Sequence, residues 1–160
     1  MSELPQQQAK KPAKKGSASA RNRMARLLAA QAVYQLMMTD LDADTVMLNV
    51  RGRSGFRDGD VADEFVDHDD ALFLSIVRSQ QAKKTDIEVF LNEAMGAKYK
   101  DLEVLLKAIL MCGAAEILCH HDVDAPIIIN DYMTVTDSFY EGTEKKIINA
   151  VLDKLFKQVR

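Results

Sequence analysis

Apolar residues recur every three or four positions along most of this chain, which is the spacing of one face of an α-helix. Few Gly or Pro residues interrupt this pattern, and no segment alternates between apolar and polar residues as a strand does. The pattern predicts an all-α fold of about seven helices, over residues 20–39, 44–50, 69–81, 85–96, 101–119, 124–140 and from 143 onward.

Residues 20–39 change character from one side of their predicted helix to the other. At about 100° per residue, one face collects apolar residues, namely Ala25, Leu28, Ala29, Ala32, Val33 and Leu36. The opposite face collects Arg23, Arg26, Ala30 and Tyr34. Two guanidinium groups beside an aromatic ring suit phosphates and unpaired bases. Arginine is also common on helix faces that only meet solvent, so both interpretations stay open.

Capping residues predict where several helices begin. The candidate N-caps are Ser19, Asp69 or Asp70, Thr85, Asp124 and Thr143. Pro126 strengthens the start after Asp124, and Gly96 is the expected end of the fourth helix. Residues 101–119 are the most apolar segment, so we expect a central helix there, with Gly113 allowing another helix to approach closely.

The charge is distributed unevenly, although the whole chain carries only −3. Residues 1–26 hold seven cations and one anion, a net +6, whereas the rest holds 14 cations and 23 anions, a net −9. Residues 1–18 also contain two of the three prolines and no apolar periodicity, which predicts a disordered basic arm before a domain over 19–160. A basic arm on an acidic body suits local attraction of a polyanion, and equally a tail that maintains solubility.

Residues 51–67 predict a long loop with three glycines and a small cationic patch. Arg51, Arg53 and Arg57 surround Phe56, a combination that suits RNA. The aspartates that follow offer these arginines partners within the protein, which is the competing interpretation.

The remaining chemistry argues against an enzyme, a metal site or a cofactor. No phosphate-binding glycine loop or nucleophile motif occurs, and the run from Cys119 to Asp122 lacks the paired spacing of a zinc site. Cys112 and Cys119 lie too far apart on one helix for a disulfide, so we expect reduced thiols. Without a signal peptide or an apolar stretch of about 20 residues, the expected location is the cytoplasm, with no membrane contact.

Two separated stretches resemble the NusB family of bacterial transcription antitermination factors. Near the start, Arg23-x-x-Arg26 followed by Ala30-x-x-Val33-Tyr34 is similar to the family's arginine-rich opening and its Gln-Ala-Leu-Tyr. The later similarities are Pro126, the Ile-Asn-Asp of 129–131, the Ser-Phe-Tyr-Glu-Gly of 138–142 and the Asn-Ala-Val-Leu-Asp-Lys of 149–154. Residues 138–142 resemble the version found in alphaproteobacterial members.

The resemblance implies two small perpendicular helical bundles and a function in transcription antitermination. It implies binding to boxA, a short unpaired RNA element of ribosomal RNA transcripts, together with NusE, a small-subunit ribosomal protein, and further contact with other Nus factors and RNA polymerase. The implied RNA-binding residues are Arg21, Arg23, Arg26, Tyr34, Thr143, Lys145 and Lys146. The implied partner-binding residues are Tyr34, Asn130 and Asp131.

Five positions depart from the family pattern, namely Met111, Ala115, Asp131, Glu144 and Ala150. Two of them, Met111 and Glu144, support a competing hypothesis. Glu144 places a negative charge beside the implied RNA path. The alternative function is therefore a helical protein–protein interaction adaptor in which RNA recognition is weakened or lost.

Overall fold

A computed structural model describes residues 16–54 and 67–160 of the chain. Within these ranges the protein is helical throughout, with turns but no strands. The eight helices are α1 (Ala18–Met38), α2 (Ala43–Ser54), α3 (Asp70–Ala82), α4 (Lys84–Met95), α5 (Ala97–Asp101), α6 (Val104–Cys119), α7 (Ala125–Asp137) and α8 (Glu144–Val159). The prediction of an all-α fold is therefore confirmed.

Each of the seven predicted helices is present, and the short α5 is the addition. Gly96 ends α4 with a positive φ of 60°, a conformation that glycine adopts readily. The chain then makes the single turn of α5, whose Tyr99 is buried. The ends that differ most from the prediction are those of α2, which continues to Ser54, of α6, which begins only at Val104, and of α7, which stops at Asp137.

The predicted caps are correct in part. Ser17, not Ser19, caps α1, since its hydroxyl oxygen accepts a hydrogen bond from the Ala20 amide at 3.1 Å. Asp69 caps α3 through the Leu72 amide at 3.0 Å. The N-cap of α4 is Lys83 rather than Thr85. Two further sites are confirmed in position only: Asp124 and Thr143 occupy the N-cap positions of α7 and α8, without a side-chain hydrogen bond to the helix.

The most apolar helix, α6, lies at the centre of the molecule as expected. It packs against α1, α3, α4, α7 and α8. The contacts divide the helices into two groups, with α1, α2 and α3 touching one another, and α4, α7 and α8 gathered around α6. A Cβ added at Gly113 would lie only 2.6 Å from Leu152 Cδ1, so glycine at this position allows α8 to pack closely against α6.

Arg160 caps the C-terminal end of α6. Its guanidinium group donates to the carbonyl oxygens of Glu116, Ile117, His120 and Val123, at distances of 2.7–3.4 Å. These carbonyls lie at or just beyond the last turn of the helix, where no further turn supplies amide donors. The last residue thereby joins the C-terminal end of α8 to the central helix.

Three further predictions concern the cysteines, the membrane and the ranges outside the described residues. Cys112 and Cys119 are free thiols, as expected. Among the described residues no helix is long and apolar enough to cross a membrane. The predicted arm lies outside the described residues up to position 15, as do Phe56 and Arg57 of the predicted loop patch.

Candidate nucleic-acid interface

The arginines of α1 lie in three different environments instead of forming one exposed cationic group. Arg26 is 2% exposed, and Ala30, one turn later, is fully buried. The prediction that both lie on an open face is wrong. Because α1 packs against α6 and α7 as well as α2 and α3, neighbouring helices cover the side that the apolar pattern left uncovered. Arg26 therefore has no exposed surface with which to contact RNA.

Arg26 instead forms an ion-pair cluster inside the protein with Glu116 and Asp131. Its Nε and NH2 atoms donate to the two Glu116 carboxylate oxygens at 2.8 and 2.9 Å, and its NH1 atom donates to Asp131 Oδ2 at 2.7 Å. Tyr132 donates its hydroxyl hydrogen to Glu116 Oε2 at 2.6 Å. Both acidic residues are buried. This arrangement joins α1, α6 and α7 through one guanidinium group.

Burial and pairing act in opposite directions on the pKa values of this cluster. Burial alone would lower the pKa of Arg26, but the hydrogen bonds and charge of Glu116 outweigh burial and raise it. Burial alone would raise the pKa of Glu116, but hydrogen bonds from His120 and Arg26 lower it. Burial and the Glu116 charge raise the pKa of Tyr132 well above its ordinary value. At neutral pH Arg26 is therefore a cation, Glu116 is a carboxylate and Tyr132 keeps its hydroxyl proton.

One signal in the sequence pointed to this cluster. Lys107 and Glu116 are the only charged residues within α6 itself. A carboxylate buried in such a helix requires a cationic partner, because an unpaired buried charge is very costly. Arg26 on α1 supplies this cationic partner. Helical periodicity alone could not reveal the partner, which lies 90 residues away along the chain.

Arg23, one turn before Arg26, remains available at the surface. Its side chain is 43% exposed, and its Nε atom lies 3.5 Å from Asp131 Oδ1. Arg23 borders a small cleft of about 230 Å³ between α1 and the end of α7. The cleft is lined by Ala20, Arg23, Met24, Leu27, Val135 and Ser138. We refer to it as the Arg23 cleft.

The two predicted partner-binding residues on α7, Asn130 and Asp131, also differ in their exposure to solvent. Asn130 is exposed, so it remains accessible to a partner. The Asp131 carboxylate is buried and held by the arginines of α1, so the structure contradicts a direct partner contact through this carboxylate. Asp131 instead connects the buried ion-pair cluster to the half-exposed Arg23.

Tyr34 lies further along α1, on the rim of a larger cavity of about 720 Å³. Its side chain is 36% exposed, as is that of Phe139, which follows α7. The cavity is lined by Leu28, Gln31, Tyr34, Gln35, Thr39, Leu41, Asn49, Val50, Leu105 and Phe139. We refer to it as the aromatic groove. The resemblance pointed to Tyr34, whereas the role of Phe139 becomes visible only when the chain folds.

The Arg23 cleft and the aromatic groove adjoin. Leu27 lines the cleft and Leu28 lines the groove, and the same is true of the consecutive Ser138 and Phe139. The surface along α1 therefore has a cation in the cleft and two aromatic rings in the groove, and neighbouring residues of the chain line the two cavities.

The first turn of α8 lies beside this surface. Lys145 Nζ is 3.6 Å from the Asp137 carboxylate, which directly precedes Ser138 of the cleft. Lys146 and Thr143 are exposed. The Glu144 carboxylate turns back toward Gly142, since a Cβ there would lie 2.8 Å from Glu144 Oε2. That oxygen is buried, so the charge expected beside the RNA path is partly withdrawn from the surface.

Arg21 lies on the other side of α1, apart from Arg23. It borders an open cavity of about 590 Å³ lined by Arg21, Leu48, Arg51, Asp67, His68 and Asp70. Arg51 NH2 lies 2.8 Å from Asp70 Oδ2, so an aspartate does pair with this arginine of the predicted loop patch. The structure thus does not bring Arg21 together with Arg23 and Tyr34.

His120, the first of the two histidines that follow α6, contacts side chains of the fold. His120 contacts the Glu116 carboxylate at 3.1 Å and Ser75 Oγ at 2.8 Å, which links α3 to the buried cluster. In the part of the chain that the structure describes, no three His, Cys, Asp or Glu residues are grouped as metal ligands.

Fold and surface together define a helical protein whose first helix exposes an arginine and a tyrosine, Arg23 and Tyr34. A model of the NusB family matches residues 23–157. The chain therefore belongs to the NusB family. The match covers every helix except the first residues of α1 and the last residues of α8.

Individual relatives agree with this assignment. The chain is 34% identical over 140 residues to the transcription antitermination protein NusB of Maricaulis maris, covering 86% of this chain and 87% of the relative. It is also 34% identical over 160 residues to the protein of that name from Agrobacterium fabrum, covering 98% and 92%. A solved structure of T. maritima NusB shares the fold, with a TM-score of 0.68 over 90% of this chain and 93% of that one, at 16% identity.

Proposed function

We propose that this protein is a transcription antitermination factor that binds boxA RNA together with NusE. It acts by adhesion, without catalysing a reaction, and joins the other Nus factors on RNA polymerase in the cytoplasm. Phosphates contact Arg23 and the lysines at the start of α8, and Tyr34 stacks on a base. Arg21 contributes from the side of the basic arm, at a distance from this surface.

The observation that carries this proposal is the pair of neighbouring cavities along α1 in a chain of the NusB family. Arginine and lysine at one end with aromatic rings at the other are the components of single-stranded RNA sites. The fixed position of Arg23 supports the same role, since Asp131 restrains its guanidinium group while nearly half of the side chain stays open.

The test is a gel shift with boxA RNA, with and without NusE, using Arg23→Glu as the variant. Arg78→Glu is a matched control, because Arg78 is an exposed arginine on α3, away from this surface. We expect Arg23→Glu to weaken binding about tenfold or more and Arg78→Glu to leave it within about twofold. Equal affinities for the two variants would exclude Arg23 from the RNA site.

The competing function is a protein–protein adaptor with lost RNA recognition. The partly apolar lining of the aromatic groove favours it, because exposed Tyr34, Leu41 and Phe139 line one cavity. The same gel shift separates the two functions. An adaptor would bind NusE in a pull-down yet leave boxA RNA unshifted under all conditions.

A further inference from the structure

Three side chains away from the two cavities of α1 form a hydrogen-bonded chain that runs from the core to the surface. The Glu116 carboxylate contacts His120 Nδ1 at 3.1 Å, and His120 Nε2 contacts Ser75 Oγ at 2.8 Å. Glu116 is fully buried, His120 keeps 12% of its side chain exposed, and Ser75 is exposed. A carboxylate, an imidazole and a hydroxyl in this order are the components of an activated serine nucleophile.

The protonation state of Glu116 determines the direction of both hydrogen bonds. Burial acts to raise the pKa of Glu116, but hydrogen bonds from His120 and Arg26 outweigh burial and lower it. Because a carboxylate can only accept, the proton of the His120 imidazole is on Nδ1. In the neutral ring Nε2 is then the unprotonated nitrogen, and it accepts the hydroxyl hydrogen of Ser75. The ring is therefore arranged as a general base for Ser75.

Glu116 and His120 are both held in place by further contacts. Arg26 donates two hydrogen bonds to the Glu116 carboxylate, and Tyr132 donates a third. The backbone amide of His120 donates to the Glu116 carbonyl at 2.7 Å, and the His120 carbonyl accepts from Arg160 at 2.8 Å. Glu116 is thus a positioning residue for the imidazole. Because Arg26 shares the carboxylate, Glu116 stabilises an imidazolium less than an unshared carboxylate would.

The surface beside Ser75 carries a positive charge. Arg78 is exposed and follows Ser75 by three residues on α3, so the two side chains lie on neighbouring turns of one helix face. Ala71, one turn before Ser75, is also exposed and carries only a methyl group, which leaves room for an incoming molecule. A guanidinium group suits a phosphate. The reactant that fits this surface is a small acyl donor with a phosphate leaving group.

We propose that Ser75 is an activated nucleophile and a site of O-acylation by acyl phosphates. His120 Nε2 accepts the hydroxyl proton as Ser75 Oγ attacks the carbonyl carbon of the acyl phosphate. The ester bond to Oγ forms, the bond between the acyl carbon and the phosphate oxygen breaks, and phosphate leaves with the electron pair of that bond. His120 returns the proton to the departing phosphate, to which Arg78 is paired. The products are an O-acylserine and inorganic phosphate.

The experiment incubates the full chain with acetyl phosphate, quenches it with acid at successive times and maps acetylated peptides by mass spectrometry. Ser138 is the internal control, because it is exposed and its hydroxyl donates only to a backbone carbonyl, that of Thr134 at 3.4 Å. We expect Ser75 to be acetylated at least about tenfold faster than Ser138, since a positioned general base contributes about 10²–10⁴-fold. His120→Gln should lower the Ser75 rate to that of Ser138, and circular dichroism verifies that this variant is folded.

A neutral reagent, p-nitrophenyl acetate, separates the contribution of the base from that of the cation. Arg78→Gln should slow the acetylation of Ser75 by acetyl phosphate about two- to fivefold, as for one exposed charge pair, and leave the reaction with the neutral ester unchanged. Ser75→Ala should remove the part of the p-nitrophenolate release that wild type shows beyond its lysine background. This second measurement also detects an O-acylserine that is hydrolysed before it can be mapped.

Three outcomes would overturn the inference. If wild type acetylates Ser75 and Ser138 at equal rates and Ser75→Ala releases p-nitrophenolate as fast as wild type, Ser75 is not activated. If folded His120→Gln retains the wild-type rate at Ser75, the imidazole is not the base. If Arg78→Gln slows both reagents alike, or neither, the assignment of an acyl phosphate as the reactant is wrong. The first comparison uses wild type and Ser75→Ala alone, so it decides the proposal even where His120→Gln fails to fold.

Discussion

Arg23 and Arg26 lie one helical turn apart on α1, but Arg23 is partly exposed and Arg26 is buried. Arg26 is buried against two carboxylates, while Arg23 keeps 43% of its side chain in solvent and touches one of those carboxylates from outside. The difference teaches that spacing along a helix places two residues on one side without determining how deep each lies. The depth depends on the neighbouring helices α6 and α7, which cover Arg26 and leave Arg23 partly exposed.

The largest expected effect is on the buried side, at Arg26. Arg26→Met leaves Glu116 and Asp131 as uncompensated buried charges, so we expect a loss of about 3–5 kcal/mol in the free energy of unfolding. Urea denaturation monitored by circular dichroism measures it. Adding Glu116→Leu and Asp131→Leu to this variant should restore much of the loss, because no charge then remains unpaired. A cost below about 1 kcal/mol for Arg26→Met would mean that the cluster is not closed to water.

The next effect concerns Glu116 and pH. Its pKa is lowered in the folded protein, so its ion pair stabilises the fold above the ordinary value of 4.5 and this contribution is lost as the pH falls further. Glu116→Gln should therefore destabilise the protein by about 2–4 kcal/mol near neutral pH, and the difference from wild type should shrink on acidification. Urea titrations at about pH 7 and about pH 3.5 test this. A constant difference across that range would contradict the pairing.

A smaller effect is expected at Tyr132, which completes the cluster. Tyr132→Phe removes the hydroxyl that donates to Glu116 at 2.6 Å, while Arg26 and His120 still satisfy the carboxylate. We expect a loss of about 1–2 kcal/mol in unfolding free energy, as for one hydrogen bond to a charged group. Thr134→Val on the same helix is a control that should cost less, because the hydroxyl of the half-buried Thr134 donates to an uncharged carbonyl oxygen, that of Asn130. Equal costs would indicate that the hydroxyl contributes nothing specific.

The smallest effect on stability should come from Arg23. Its ion pair with Asp131 is long and partly exposed, so Arg23→Ala is expected to cost less than about 1 kcal/mol in unfolding free energy. Measured beside Arg26→Met under identical urea conditions, it gives the comparison between the two arginines directly. A cost approaching that of Arg26→Met would show that Arg23 belongs to the core and not to the binding face.

Helical periodicity predicted most of the fold, but it placed Arg26 and Ala30 on an open face that neighbouring helices in fact cover. The apolar stripes identified seven helices and the central role of residues 101–119, because burial of one face is a local property. Arg26 was placed outside because its covering residues, Glu116 and Asp131, belong to other helices. Phe139 and Asn49 could not be joined to Tyr34 for the same reason, since the groove exists only where α1, α2 and the end of α7 meet.

The most direct test of the central claim is the salt dependence of boxA RNA binding in the presence of NusE. For single-stranded nucleic acid, each phosphate contact adds about 0.7 to the slope of log affinity against log salt concentration. Arg23→Gln should reduce the magnitude of that slope by about 0.7 while Arg78→Gln leaves it unchanged. Identical slopes and affinities for the two variants would contradict the claim that Arg23 contacts RNA phosphates while Arg26 only stabilises the fold.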